Sequence, residues 1–138
     1  MKLTTKGRYG LAVVVLLNKN KGKTFSLLSI SESLGLSKLY LEQILSVLKS
    51  HQIVNSTKGP TGGYSIKTEA NLTVYEVLSV LEPGLAHTEP GERTHKTLGR
   101  LLDEQVYAPL NEAVASTLGS IRLDDLSAML TEEPMYYI

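Results

Sequence analysis

Ser26-Leu27-Leu28-Ser29-Ile30-Ser31-Glu32-Ser33-Leu34-Gly35-Leu36-Ser37-Lys38-Leu39-Tyr40-Leu41-Glu42-Gln43-Ile44-Leu45-Ser46-Val47-Leu48 reads as two helices in quick succession. Ser26 is an N-cap residue, because its hydroxyl accepts from an unpaired N–H of the first turn. Leu27, Leu28, Ile30 and Leu34 supply the apolar positions of that short helix, and Gly35 stops it, since glycine adopts the left-handed conformation of a helix terminus without cost. Only Leu36 separates that glycine from Ser37, a second cap. Leu41, Ile44, Leu45 and Leu48 then recur at helical spacing. Two helices joined by so short a turn containing glycine form the helix-turn-helix signature.

Upstream, Thr4 or Thr5 caps a helix with apolar residues Leu11, Val14, Val15 and Leu17, and the polar run from Asn18 to Lys23 reads as a loop. Downstream, Ile53 and Val54 lead through a turn, Gly59-Pro60-Thr61-Gly62-Gly63, to Tyr64 and Ile66. Two short strands around a Gly/Pro turn predict a β-hairpin. Helix, turn, helix and hairpin in this order predict a winged helix-turn-helix over residues 1–82. A helix capped by Thr73 carries Val74, Val77, Leu78 and Leu81, and Glu82 to Glu92 reads as a loop. Residues 83–138 are expected to form a second region, for dimerisation and sensing. Its long apolar stripe runs through Leu98, Leu101, Leu102, Val106, Leu110, Ala113, Val114 and Leu118, with a kink or fresh start expected near Ala108 because Pro109 lacks an N–H. An apolar stripe of this kind packs within its own chain by default and pairs with a second copy as the alternative. A last helix covers Leu123 to Leu130. The predicted fold class is mainly α with a small β-wing, followed by a long C-terminal dimerisation helix.

Composition narrows the function. The 138 residues suit one domain, and 42% hydrophobic with 20% charged residues is a globular balance. There is no cysteine, which excludes disulfides, thiolate nucleophiles, zinc fingers and thiolate-held iron–sulfur clusters. The longest apolar run, Leu11 to Leu17, is far short of the roughly 20 residues that span a bilayer, and no secretory signal is evident; the expected location is the cytoplasm. The formal net charge of 0 conceals an asymmetry: residues 1–68 hold ten Lys/Arg against two acids, residues 69–138 four against twelve. A basic half of this kind points to a polyanionic partner.

In the groove of double-stranded DNA, Ser37, Lys38 and Tyr40 are candidate phosphate contacts, Gln43 suits adenine, and Glu42 suits the cytosine amino group. Glu42 equally fits an exposed acid favouring a positive helix N-terminus. Lys58 on the glycine-rich tip, with Gly59, Thr61 and Tyr64 around it, suits a narrow minor groove. That tip lacks the Gly-Lys-Ser/Thr ending of a phosphate-binding loop. Lys2, Lys6 and Arg8 are further candidate phosphate contacts. His87 and His95, with Glu89 and Glu92, read as solvated loop residues rather than metal ligands, and no catalytic constellation is found, so no enzyme activity and no cofactor are expected.

Lys6-Gly7-Arg8-Tyr9-Gly10, Ser37 to Gln43 and Lys58-Gly59-Pro60-Thr61-Gly62-Gly63-Tyr64, three motifs in order, resemble the Rrf2 family of bacterial winged-helix regulators, and the resemblance covers essentially the whole chain. It implies a homodimeric transcriptional regulator, a repressor, on a palindromic operator, with the long C-terminal helix crossing the partner subunit and Glu42 reading a base. Lys58 stands where the family has a minor-groove arginine. Cluster-binding members carry three cysteines in the loop matching Pro83 to Lys96; this chain has none, so redox sensing does not carry over. Met135-Tyr136-Tyr137-Ile138 resembles the tail of the branch that represses cysteine metabolism. By that resemblance Tyr136, Tyr137 and Ile138 would enter the active site of cysteine synthase. The alternative function is an adaptor that binds such an enzyme through this tail.

Overall fold

A computed structural model describes residues 2–67, 71–85 and 96–130. The first helix, α1 (Thr5–Lys19), begins where the Thr4 side chain accepts from Gly7 N–H at 3.1 Å. α2 (Leu27–Leu34) and α3 (Lys38–Ser50) start at Ser26 and Ser37, whose hydroxyls accept from Ser29 and Tyr40 N–H, each at 3.1 Å. Gly35 closes α2 at φ 66° and ψ 32°, the left-handed conformation that its position between two helices requires. The helix-turn-helix is therefore built as its caps predict.

The hairpin pairs β1 (Val54–Thr57) with β2 (Gly63–Ile66), antiparallel, with Val54 opposite Ile66 and Thr57 opposite Gly63. Phe25 extends this wing: its N–H donates to Tyr64 O at 2.9 Å and its carbonyl accepts from Tyr64 N–H at 2.8 Å. A Cβ on Gly63 would stand 2.2 Å from Phe25 O, so this close backbone pairing depends on glycine.

α4 (Val74–Leu81) is capped by Thr73 and packs against α1. α5 (Lys96–Leu102), a π-helical turn over Asp103–Tyr107 and α6 (Ala108–Gly119) follow without a break, and α7 (Leu123–Met129) returns to α1. The element boundary falls at Ala108, as Pro109 predicts, but the chain stays helical: Ala108 N–H reaches back five residues to Asp103 O. The wider π turn accommodates a proline that cannot donate and whose ring crowds the preceding turn.

Val13, Val14, Leu17, Ile30, Leu41, Ile44, Leu45 and Leu48 are buried with Val77, Leu78 and Leu123, so α1 is the central helix onto which α3, α4 and α7 pack. Asn18 lies in the last turn of α1, not in the loop, and it is buried. Its amide donates to Ser127 Oγ at 2.8 Å and Asp124 Oδ1 at 3.1 Å. Partners on α7, more than 100 residues away, satisfy a polar side chain that would otherwise favour solvent.

The long stripe divides in two. Val114 and Leu118 pack against the core of their own chain, whereas Leu98, Leu101, Val106 and Leu110 are exposed. A groove of about 580 Å³ runs between α1 and α7, lined by Leu11, Ala12, Val15, Leu126 and Met129, with Arg8 at its edge.

Candidate nucleic-acid interface

α3 presents two opposite faces. Leu41, Ile44, Leu45 and Leu48 are buried, while Lys38, Leu39, Glu42, Gln43, Ser46 and Lys49 are exposed. Helical periodicity alone produces this division, and it leaves the polar face available to a groove. Ser37 caps the helix through its oxygen, which leaves the hydroxyl proton free to be donated to a phosphate. The N-terminus of α3 also carries unpaired N–H groups and a partial positive charge.

Tyr40 is half-buried, and its ring meets that of Tyr9 edge to face, with centroids 6.2 Å apart and planes at 88°. This contact holds α3 against α1 beside Arg8. Tyr40 thus has a packing role that its sequence position does not reveal. Lys2 and Arg8 are exposed and Lys6 is half-buried.

On the wing, Lys58, Gly59 and Thr61 are exposed, and Tyr64 is half-buried against the core. Gly59 has φ 105°, and its carbonyl accepts from Gly62 N–H at 2.9 Å. A Cβ on Gly62 would lie 2.2 Å from Thr57 O. The tip is therefore a tight backbone turn with Lys58 displayed from it.

The N-terminus of α1 is fixed by a residue that the sequence analysis did not single out for the site. Glu82, at the end of α4, is buried, and one carboxylate oxygen accepts from Thr4 N–H at 2.6 Å and from Thr4 Oγ1 at 2.7 Å. An acid suits a helix N-terminus. Glu82 can approach only because position 7 is glycine: a Cβ there would be 2.1 Å from Glu82 Oε1. Gly10 gives the same room to Leu81, whose Cδ1 would be 2.4 Å from an added Cβ. The two glycines of Lys6-Gly7-Arg8-Tyr9-Gly10 are thus packing residues against α4, and the polar residues between them face elsewhere. The signal in the sequence was the Gly-x-x-Gly spacing on one helix face.

Leu39 was missed as well. It is 69% exposed in the first turn of α3, although leucine gains nothing from solvent. Tyr136, Tyr137 and Ile138, with His87 and His95, lie outside the described residues. Among the described residues, no group of three or more His, Cys, Asp or Glu could hold a metal ion, and no helix is long and apolar enough to cross a membrane.

Residues 3–129 match the Rrf2 family model, described as an iron-dependent transcriptional regulator. The chain is 34% identical over 143 aligned positions to the HTH-type transcriptional regulator CymR of Bacillus subtilis, covering 100% of both chains. It is 36% identical over 130 positions to the HTH-type transcriptional regulator IscR of Xenorhabdus nematophila, covering 91% of this chain and 79% of that one. The solved structure of CymR, the global cysteine regulator of B. subtilis, superposes with a TM-score of 0.78 at 32% identity, over 95% of this chain and 99% of that one. The family description names iron; a chain without cysteine has no thiolates to hold an iron–sulfur cluster, so a thiolate-held cluster does not fit these residues.

Proposed function

We propose, given that the chain belongs to the Rrf2 family of transcriptional regulators, that it is a sequence-specific DNA-binding repressor acting as a homodimer on a palindromic operator. The observation that carries this reading is the exposed face of α3, with Glu42 and Gln43 presented together behind the Ser37 cap. Residues 1–82 bind DNA in this reading. Lys2, Lys6, Arg8, Lys38 and Lys58 neutralise phosphates, Glu42 and Gln43 read base edges, and the wing enters the minor groove. A carboxylate near phosphates is repelled unless a base amino group donates a hydrogen bond to it, which makes Glu42 a selector against the wrong base rather than a source of affinity.

Residues 83–138 provide the dimer. Exposed Leu98, Leu101, Val106 and Leu110 need an apolar surface, and the α1/α7 groove offers one on a second copy. Two copies place two recognition helices on half-sites about 34 Å apart, one turn of DNA. The likeness to a cysteine regulator supports genes of cysteine or sulfur metabolism as targets. Cysteine synthase, captured through Tyr136 to Ile138, is the partner this reading names. The adaptor alternative is separated by deleting Met135 to Ile138: a self-sufficient repressor keeps its operator affinity, whereas an adaptor loses its partner and its activity.

The test is selection of bound duplexes from random-sequence DNA at about 150 mM salt, where screening resembles that of a cell. A palindromic site is expected, with affinity falling on the order of 10³–10⁵-fold between about 50 and 200 mM salt if about 6–10 phosphates are neutralised. Glu42→Ala should relax base preference while leaving non-specific binding nearly intact, and Lys58→Ala should chiefly lower affinity. Enrichment of no sequence, or an unchanged preference in Glu42→Ala, refutes the assignment of base reading to this helix.

A further inference from the structure

We infer that Leu39 is a specificity-determining residue that reads the C5-methyl group of a thymine in the major groove. The assignment rests on the DNA-binding reading above and extends it to a residue which that reading leaves unused. Leu39, Glu42, Gln43 and Ser46 stand at i, i+3, i+4 and i+7, and all are exposed. They form one stripe along α3, opposite the buried Leu41, Ile44, Leu45 and Leu48. A leucine heading a polar stripe, 69% exposed, buries little of its apolar side chain against its own chain. Its side chain has to meet an apolar group when the stripe is covered.

The major groove offers few such groups. Guanine, cytosine and adenine present donors and acceptors there, and burying a leucine over them leaves those polar atoms unsatisfied. Thymine alone among the four bases adds a methyl group to that edge. Leu39 and Glu42 are three residues apart, about 4.5 Å along the helix axis. That is slightly more than one base step of about 3.4 Å. The thymine therefore lies within one or two base pairs of the base read by Glu42.

Uracil scanning tests this directly, because uracil keeps every hydrogen-bonding group of thymine and lacks only the methyl. The duplex enriched by the full-length protein is synthesised with each thymine replaced in turn by uracil, and binding is measured with the wild type, Leu39→Ala and Leu39→Ser. Both substitutions are at an exposed helical position, so folding is retained and circular dichroism confirms it. One thymine per half-site should show a loss of about fourfold in the wild type (about 0.8 kcal/mol, the transfer value of one buried methyl-sized group), and about 15-fold when both half-sites are changed. At that position Leu39→Ala and Leu39→Ser should bind thymine and uracil equally, while preference at the Glu42 position persists. If no thymine in an enriched site is sensitive to uracil, or if Leu39→Ala keeps the same sensitivity, the assignment is overturned and the regulator reading stands. If no duplex is enriched at all, the regulator reading fails and takes the assignment with it.

Discussion

Gly7→Ala should change the sign of its effect on stability according to whether residue 82 is glutamate. Gly7 is inside α1 and is not among the positive-φ glycines, so alanine suits its backbone and should gain about 0.8–1.0 kcal/mol of helix propensity. Against this stands the contact at 2.1 Å between a Cβ at position 7 and Glu82 Oε1. The carboxylate would have to leave the place where it accepts from Thr4 N–H and Thr4 Oγ1 at 2.6 and 2.7 Å. Two hydrogen bonds to a charged acceptor, discounted because Thr4 is open to water, are worth about 2 kcal/mol. The single variant is therefore expected to lose about 1 kcal/mol. In a Glu82→Ala background the obstruction is gone, and Gly7→Ala should gain about 0.8–1.0 kcal/mol, a coupling of about 2 kcal/mol.

Urea unfolding of the wild type, both single variants and the double variant measures this cycle, all at one protein concentration because self-association of any chain shifts its apparent stability. With a slope of about 2 kcal/mol per molar urea, the midpoint should fall by about 0.5 M in the first case and rise by about 0.4–0.5 M in the second. A coupling under about 0.5 kcal/mol, or a Gly7→Ala that stabilises the wild type, would show that Glu82 does not clamp the start of α1.

Leu101→Asp combined with Val106→Asp should leave the helical fold intact, since both residues are exposed in the single chain, yet convert a dimer to a monomer by sedimentation equilibrium. Operator affinity should fall by more than about 100-fold, because each lost side chain contributes about 1.5–3 kcal/mol of burial at the interface. Unchanged mass would place the dimer contact elsewhere. Lys21 Nζ lies 2.8 Å from Asp124 Oδ1, and this bond, with that from Asn18, holds the Asp124 carboxyl below its usual range. The unfolded chain then binds the proton first, so this contribution is present at neutral pH and disappears as pH falls through the acid range. Asp124→Asn should cost under about 1 kcal/mol at pH 7, given the exposure of the pair, and the difference should close in acid unfolding curves. Gly62→Ala places a Cβ 2.2 Å from Thr57 O, backbone against backbone, and should distort the wing, lowering operator affinity about tenfold by gel shift while thermal unfolding of the helical core stays cooperative.

Local signals were legible in the sequence wherever the relevant physics is local. Thr4, Ser26, Ser37 and Thr73 all cap helices in the structure, because a hydroxyl capping its own first turn needs no distant partner. The alternation of buried and exposed residues on α3 follows from periodicity, which puts Glu42 and Gln43 on its open face. The glycine turn between β1 and β2 belongs to the same class. Leu39 shares the open face of α3 by the same spacing, and it escaped notice because its side chain has no donor or acceptor to suggest contact with a base.

The sequence by itself determined the order of elements, the helix-turn-helix, the wing, the charge asymmetry and the absence of thiolate ligands. Only the tertiary structure decided which of the apolar residues are used internally. Val114 and Leu118 reach the core and Leu98, Leu101, Val106 and Leu110 do not, because a one-dimensional pattern reports that a stripe must be covered but not by what. The same holds for Asn18 and Glu82. Each is a polar residue at the end of a helix, and each becomes buried because a partner distant in the chain, α7 for one and Thr4 for the other, satisfies it. Long-range satisfaction of polar groups leaves no local mark, and it emerges only when the helices pack.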